Sequence, residues 1–319
     1  NGKGFSFYGA SGLYATSNMG SNSMGGSITV NGDVDMKVRA NALFVNVGGS
    51  TIDLNNGKVN IEVDDKSSYA ALRAENGIIN VNVNKNESGV VTGAGNHDVV
   101  ITGNLATETG AVNAIDKKGT LSQINLGLTT ANSSLTGAIY NGFPEGGKKA
   151  GELVFIGENN LWLQNGARWN NQVHGTIVPA WGGEPYGGGR LTHLYGGSDT
   201  SHAGVIIQKD GKPISVENYS GHTTVIYEHD TTVPADPNEG FVMKGGDFRI
   251  GKAAANSGII LRTDNAGLNT SSGKAADKNL VSGTLNKLAN KLYYMAYKDG
   301  EKNLTGKVEI AEGLTASAT

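Results

Sequence analysis

Cysteine is absent from the 319 residues of this sequence. The chain therefore has no disulfide framework of the kind that stabilises many secreted animal proteins. A chain that crosses a membrane unfolded is hindered by premature disulfides, so the absence fits an exported bacterial surface protein. The other interpretation is that the protein simply makes no use of cysteine, and composition leaves both open.

Charge and long apolar runs are also scarce. Charged residues make up 17% of the chain and the formal net charge is −3, whereas ordinary soluble domains carry about 25% charged residues. We expect no binding to nucleic acid or to an anionic membrane surface. No run approaches the roughly 18 apolar residues of a transmembrane helix. The sequence starts at Asn1 without a signal region, so we expect any targeting peptide or membrane anchor to lie outside it.

A short unit of alternating apolar residues, followed by Gly, Asn or Asp, recurs along the chain, for example at 26–32, 51–64 and 77–84. Period-two alternation is typical of a strand with one buried face. Because there is little helical pattern between the units, we predict an all-β fold, a parallel β-helix (solenoid) with protruding loops. The alternative is a set of antiparallel hairpins, for which 52–63 is the best candidate because it contains Asn56-Gly57.

The alternation also assigns the side chains that should point into this coil. A single turn cannot bury its apolar face alone, so we expect stability to come from stacking on the neighbouring turns. The predicted inward sets are Ile28/Val30, Ile52/Leu54, Val59/Ile61/Val63, Ile79/Val81/Val83, Val99/Ile101, Ile124/Leu126, Leu161/Leu163, Val205/Ile207, Ile214/Val216, Phe248/Ile250 and Val308/Ile310.

The pattern divides the chain into four segments. We predict an irregular entry or first turns at 1–27, the parallel β-helix at 28–277, an inserted or shielding helix at 278–298 and the final turns at 299–319. The helix is predicted because one helical face carries regularly spaced apolar residues. These residues are Val281, Leu285, Leu288, Leu292 and Met295.

Three segments interrupt the alternation, at 141–151, 179–197 and 229–240. They contain prolines, which are excluded from central strands, so we expect them to protrude. Within 179–197, Trp181 and Tyr186 together with Arg190 are the candidate ligand-binding residues, because aromatic rings can form a platform for a sugar or an anchor for a protein. The alternative is that these rings hold the loop against the coil.

Catalytic and metal-binding motifs are missing from the sequence. The six histidines form no short ligand spacing, and there is no phosphate loop or nucleophile elbow. Asp33 and Asp35 share one strand face and are expected to be solvated, although they could instead meet one cation or sugar. His222 and Asp247-Phe248-Arg249 faintly resemble the clusters with which some β-helical enzymes cleave acidic polysaccharides. We expect no catalytic residue, no metal and no cofactor.

One run of residues carries a family resemblance. Asn160-Leu-Trp-Leu-Gln-Asn-Gly-Ala-Arg-Trp-Asn170 resembles the L-x-L-x-x-G-A-x-W unit of bacterial autotransporter passenger domains. In this unit Trp162 alternates with two leucines, so we expect its ring to face outward or to sit at a corner. Segments 190–197 and 213–221 look like further turns of the same family, and 285–314 resembles part of large autotransporter adhesins. The resemblance covers residues 150–319 well, whereas the residues before 150 resemble the family only in the general style of the sequence.

The resemblance implies a right-handed parallel β-helix displayed on the bacterial cell surface, outside the outer membrane. Export and membrane anchoring would use a translocator barrel, which we expect to lie outside this sequence. The implied role is adhesion, either to a host-cell surface protein or glycan or between passengers, leading to attachment, aggregation and biofilm. The alternatives are a β-helical polysaccharide lyase or hydrolase, and a passive stalk for a head outside this sequence. The Gly-Asp-Ser-Gly motif of protease passengers is missing.

Overall fold

The chain consists mostly of strands, with one short helix. The computed structural model describes residues 5–9, 11–16, 25–67, 69–108, 122–141, 157–175, 189–209, 211–264, 278–294, 296–298, 301–303 and 315–318. The strands in these residues are β1 (Phe5–Gly9), β2 (Leu13–Thr16), β3 (Ser27–Thr29), β4 (Val34–Val38), β5 (Leu43–Leu54), β6 (Val59–Val63), β7 (Leu72–Val81), β8 (Val83–Lys85), β9 (Val91–Ala94), β10 (Val99–Thr102), β11 (Leu105–Glu108), β12 (Gln123–Leu128), β13 (Ser134–Thr136), β14 (Ile139–Asn141), β15 (Glu158–Leu163), β16 (Arg168–Asn171), β17 (Gly189–Tyr195), β18 (Gly204–Gln208), β19 (Ile214–Ser220), β20 (His222–Tyr227), β21 (Phe248–Ala253), β22 (Gly258–Thr263), β23 (Leu292–Tyr294), β24 (Ala296–Lys298), β25 (Glu301–Asn303) and β26 (Thr315–Ala318). Helix α1 covers Lys278–Ala289, and short 3-10 turns lie at Thr200–His202 and Pro237–Glu239.

Two long sheets contain most of these strands. The first sheet has ten strands in the order β1-β4-β6-β10-β13-β16-β18-β20-β22-β26. The second has twelve, and its longest path runs β14-β11-β7-β12-β15-β17-β19-β21-β23, with β5 joining β7 and pairing with β2 and β3. Strands are parallel to their neighbours throughout both sheets, and the chain passes repeatedly from one sheet to the other. This arrangement is compatible with a parallel solenoid.

Buried apolar residues from both sheets belong to one continuous core. Within each sheet, strand register places them in files that cross many strands, so each side chain packs on its equivalents in neighbouring strands. Full burial of a side chain of this size contributes about 1.5–3 kcal/mol. In the first sheet the file is Met36, Ile61, Ile101, Leu135, Trp169, Ile206, Val225 and Leu261, and in the second it is Leu54, Val81, Leu126, Leu161, Leu194 and Tyr219.

The predicted inward pair Val205 and Ile207 is wrong by one residue. Ile206 is fully buried and lies in register between Trp169 and Val225, while Val205 and Ile207 are partly exposed. Three successive apolar residues carry no alternation, so the neighbouring strands decide which one faces inward. Of the other predicted sets, Ile28 and Val30 are only partly buried, 308–310 lie outside the described residues, and the rest are buried.

The hairpin alternative for 52–63 is also wrong. Strands β5 and β6, which flank Asn56-Gly57, lie in different sheets and do not pair with each other. The antiparallel strand pairs in the described residues are β8 with β9 and β24 with β25. The first of these pairs is a hairpin that projects from the end of β7 and contacts β12.

Helix α1 begins at the predicted residue but ends at Ala289, well before the predicted end at 298. Three residues later, at Leu292, the chain enters β23, which pairs with β21 and forms the last strand at that edge of the second sheet. This sheet edge offers hydrogen-bond partners to backbone groups that a longer helix would have paired internally. The spacing that predicts a helical face therefore continues into a strand.

The buried side of α1 differs from the predicted one. Leu288 is buried as expected, but Val281 and Leu285 are partly exposed, and the other buried positions are Gly283 and Thr284. This side of the helix packs against the 3-10 turn at Pro237–Glu239. Among the described residues, no helix is both long and apolar enough to cross a bilayer.

The predicted loops have different outcomes. Most of 229–240 is exposed, as expected. The assignment of all of 179–197 to a protruding loop is wrong, because Gly189–Tyr195 form β17, a central strand between β15 and β19. Residues 142–151 of the first loop and 179–188 of the second lie outside the described residues.

Candidate ligand-binding surface

A row of polar side chains crosses five neighbouring strands of the second sheet. Asp53, Asn80, Asn125, Asn160 and His193 occupy equivalent positions on β5, β7, β12, β15 and β17. Asp53, Asn80 and Asn125 are each flanked in sequence by two core residues. Because successive side chains of a strand alternate between faces, the row lies on the outer face of the sheet. We call these five residues the amide row.

Side-chain hydrogen bonds link the members of the amide row in one direction. Asn80 Nδ2 donates to Asp53 Oδ1, Asn125 Nδ2 to Asn80 Oδ1, and Asn160 Nδ2 to Asn125 Oδ1, each at 2.8 Å. His193 Nδ1 lies 2.8 Å from Asn160 Oδ1. An amide oxygen can only accept, so Nδ1 carries the proton in this contact. The row therefore places His193 in a fixed position and orientation.

At the opposite end from His193, on β5, the amide row terminates in a charged pair. Lys85 Nζ lies 2.7 Å from Asp53 Oδ1, and the Asp53 side chain is buried. Lys85 is the last residue of β8, so the β8–β9 hairpin supplies this counter-ion. A buried carboxylate is tolerated when it is paired and hydrogen-bonded, and Asp53 meets both conditions through Lys85 and Asn80.

Aromatic rings lie beside the end of the amide row at His193. Trp162 lies two residues after Asn160 on β15, and Tyr195 lies two residues after His193 on β17. The two aromatic rings stack across these neighbouring strands, with ring centroids 4.5 Å apart and an angle of 15° between the ring planes. The rings of His193 and Tyr195 lie 5.6 Å apart and are nearly parallel, at 7°. All three rings are partly exposed, which confirms the outward direction predicted for Trp162. We call Trp162, His193 and Tyr195 the aromatic platform.

The next strand leaves one side of this platform uncrowded. Register places Ser220 of β19 opposite Tyr195 and Asn218 opposite His193. The Asn218 side chain bends toward the backbone, where its Nδ2 donates to the carbonyl oxygen of Thr192 at 3.2 Å. A serine side chain is too small to cover a phenol ring, so the face of Tyr195 that turns away from Trp162 is not stacked by its row neighbour.

The electrostatic environment keeps the Tyr195 hydroxyl protonated. Burial of the phenol, and then the nearby negative charge of Glu158, raise the pKa of Tyr195 above its ordinary value. The Glu158 carboxylate is itself held by Gln123, whose Nε2 donates to Oε2 at 2.6 Å. The platform thus combines ring surface with an acid and several neutral hydrogen-bonding groups.

Of the three residues predicted from sequence to bind a ligand, the structure describes only Arg190. Trp181 and Tyr186 are outside the described residues. Arg190 is buried in β17, and its carbonyl oxygen accepts from Asn159 Nδ2 at 3.2 Å. Sequence reasoning missed His193 and Tyr195 as site residues. Their signal was a polar-x-aromatic spacing repeated on two strands, which becomes visible only once those strands are known to be neighbours.

The other candidate side chains are occupied by structural contacts. Asp33 Oδ1 accepts from the Lys58 backbone N–H at 2.8 Å, and Asp35 Oδ1 accepts from Asn60 Nδ2 at 2.9 Å. Both aspartates are exposed, as expected for a solvated strand face. In the part of the chain that the structure describes, no group of three or more His, Asp or Glu residues is arranged to hold a metal ion.

One cluster has the residue types of a catalytic triad without its geometry. Asp199 Oδ1 lies 2.8 Å, and Ser201 Oγ 3.1 Å, from the same His202 nitrogen, Nδ1. A triad needs the acid and the nucleophile on different ring nitrogens. Asp199 also accepts from the backbone N–H groups of Ser201 and His202, so it caps the 3-10 turn. Hydrogen bonds from Ser201 and His202 hold the pKa of Asp199 well below its ordinary value.

Comparisons with protein-family models, with curated proteins and with solved structures find no match for this chain.

Proposed function

We propose that this chain is the passenger segment of a bacterial autotransporter adhesin, folded as a right-handed parallel β-solenoid and displayed on the cell surface. The observation that supports this role is the aromatic platform, whose three rings are partly exposed on the outer face of the second sheet. Exposed rings suit the binding of a partner, and the buried amide row fixes His193 beside them.

The adhesive contact would centre on the aromatic platform. Aromatic side chains contribute large contact areas at low conformational cost and dominate many binding surfaces. Trp162 and Tyr195 support each other, and His193 is fixed by Asn160, so little side-chain freedom is lost on binding. Individually weak contacts become strong when many copies are displayed on one cell. The partner is a host-cell surface protein or glycan, or a second passenger.

Attachment of coated beads to cells tests this proposal. Beads carrying residues 1–319 should attach to cultured epithelial cells, and beads carrying the double variant Trp162→Ala/Tyr195→Ala should attach about 30-fold less, because each lost aromatic contact weakens binding by about 1 kcal/mol. Tyr14→Ala is the matched control. Tyr14 is also a stacked, exposed aromatic residue of the second sheet, but it pairs with Phe44 on a different strand pair.

Two results would contradict the proposal. If coated beads attach no better than beads carrying an unrelated protein, and sedimentation shows no self-association, the chain does not act as an adhesin. If the double variant and Tyr14→Ala attach equally well, adhesion does not use the aromatic platform. Thermal unfolding of both variants shows that any loss of attachment occurs in a folded chain.

A further inference from the structure

We infer that the aromatic platform binds the apolar face of a neutral pyranose, so that the ligand of the proposed adhesin is an uncharged glycan. This inference rests on the proposed function, because it assigns a ligand class to the same surface. It follows from three features of the platform: an uncovered ring face, a surrounding set of hydrogen-bonding groups, and nearby charges of both signs, which give an acidic ligand no net attraction.

The first feature is the free face of Tyr195. Trp162 covers one face of this ring at 4.5 Å, and the small side chain of Ser220 stands in register on the other side. The His193 ring lies nearly parallel to the Tyr195 ring, with centroids 5.6 Å apart, and adds to the ring surface. One face of a pyranose presents a patch of C–H groups of about the same size as a ring, and burial of that patch against the two rings removes apolar surface from water.

The second feature is the supply of polar groups around the rings. A pyranose carries its hydroxyl groups at the edge of the ring, and each needs a donor or acceptor when it leaves water. Tyr195 offers a hydroxyl, Ser220 on the next strand offers a second hydroxyl, and Asn218, opposite His193, offers an amide oxygen. A mostly apolar surface with a few placed polar groups is typical of small-ligand sites.

The third feature is the charge near the platform. Glu158 lies four residues before Trp162 on the same face of β15 and places one negative charge on this surface. Lys252 stands opposite Asn218 on β21, two strands beyond β17, and its exposed side chain places one positive charge there. The two charges offset each other, so a sialic acid carboxylate would lose hydration without a net attraction, and a neutral saccharide is favoured.

Saturation-transfer NMR and calorimetry with residues 1–319 test the ligand class directly. The probes are lactose, cellobiose and diacetylchitobiose as neutral disaccharides, with sialyllactose as the acidic counterpart of lactose. We expect at least one neutral disaccharide to bind, and sialyllactose to bind more weakly than lactose. Lactose and the other neutral probes should also reduce the attachment of coated beads.

Variants locate the binding surface. Tyr195→Ala should weaken the binding of the neutral disaccharide about tenfold, whereas Tyr195→Phe keeps the ring and should retain most of it. Tyr14→Ala should bind as the unaltered chain does. If Tyr195→Ala does not fold, Ser220→Tyr serves instead, because a ring at this position should cover the free face of Tyr195 and block binding without removing a core residue.

The outcomes separate this inference from the proposed function. If coated beads attach to cells but no neutral disaccharide binds, the ligand is not a neutral glycan and the adhesin proposal stands. Tighter binding of sialyllactose than of lactose also overturns the inference. If a neutral disaccharide binds through Tyr195 but beads do not attach, the glycan site stands and the adhesin role fails.

Discussion

Asn125 lies at the centre of the amide row and is almost completely buried, at 1% exposure. Its amide makes two hydrogen bonds within the row, one as donor to Asn80 and one as acceptor from Asn160. Polar groups buried without a partner cost about 1–3 kcal/mol each. The row is therefore favourable only as a complete set, and each member depends on both neighbours.

Asn125→Ala should lower the free energy of unfolding by about 2–4 kcal/mol, because it leaves Asn80 Oδ1 and Asn160 Nδ2 without their row partner. Urea unfolding followed by circular dichroism measures the change. The matched control is Asn60→Ala, which also removes a cross-strand amide bond, here to the exposed Asp35, and should cost less than about 1 kcal/mol. Equal losses in the two variants would show that the row contributes no special stability.

Individual inward residues were predictable where the apolar alternation is strict. Val59, Ile61 and Val63 are separated by polar residues, and all three are buried. At 205–207 the prediction failed, because the side chain that faces inward is chosen by Trp169 and Val225 on other strands. The same limit hid the aromatic platform, since Trp162 and Tyr195 become neighbours only through the pairing of β15 with β17.

At the scale of elements, α1 is held to the rest of the chain by a close backbone contact. A Cβ atom added at Gly283 would lie 2.3 Å from the carbonyl oxygen of Asn238 and 2.6 Å from the backbone nitrogen of Gly240. The adjacent Thr284 Oγ1 accepts the backbone N–H of Phe241 at 2.9 Å. The helix thus needs glycine at 283 to pack against the turn at 237–239.

Gly283→Ala should destabilise the protein, although alanine is favoured over glycine in a helix by about 1 kcal/mol. The added methyl group must push α1 away from the turn, so the Phe241 amide should exchange its hydrogen faster. Ser282→Ala, at the neighbouring exposed position of the same helix, is the control and should be neutral or slightly stabilising. A stabilised Gly283→Ala variant would show that this contact is not limiting.

The sequence indicates where α1 starts but not where it ends. The apolar spacing that predicts the helix runs through Leu292, and this residue is buried as expected. It is buried in β23, however, because its backbone pairs with β21 at that point. Helical periodicity describes which residues need burial, and long-range pairing decides which backbone conformation provides it.

At the scale of the whole molecule, several carboxylates stabilise turns along the length of the chain. Asp64 accepts from the Lys66 backbone N–H, Asp98 from the Thr130 hydroxyl, and Asp230 from the Thr232 backbone N–H. These hydrogen bonds, which Asp199 also makes at its own turn, lower the pKa of each of the four carboxyl groups. All four favour the ionised form in the folded state.

The folded protein should therefore lose stability in acid. A carboxyl group whose pKa is lower in the folded than in the unfolded chain stabilises the fold above its unfolded pKa, which is about 3.9, and this contribution disappears as the pH falls through the folded pKa. We expect the free energy of unfolding to fall between about pH 4 and pH 2. Urea unfolding at several pH values measures it.

A control variant tests the origin of this acid sensitivity. Asp98→Asn removes the titrating group but keeps an oxygen that can accept from Thr130, so stability should depend less on pH below about pH 4. A pH dependence identical to that of the unaltered chain would show that Asp98 titrates alike in the folded and unfolded states.

The stacking of short strands was predictable from composition and alternation, because amphipathic strands separated by turn residues must stack to bury their apolar faces. The strand partners were not predictable. The β8–β9 hairpin, for example, lies between β7 and β10 in the chain and supplies Lys85 as the ion-pair partner of Asp53. Nothing in the local sequence pattern distinguishes this antiparallel pair from two stacked parallel strands.

The hydrogen bonds of the amide row all point the same way, from His193 toward Asp53. Bonds aligned head to tail polarise one another, and here the negative carboxylate terminates the series. This direction settles the tautomer of a neutral imidazole at position 193: the proton sits on Nδ1, and the lone pair of Nε2 is left as an acceptor. A carboxylate four strands distant thereby dictates which hydrogen-bonding role the platform offers to an incoming molecule.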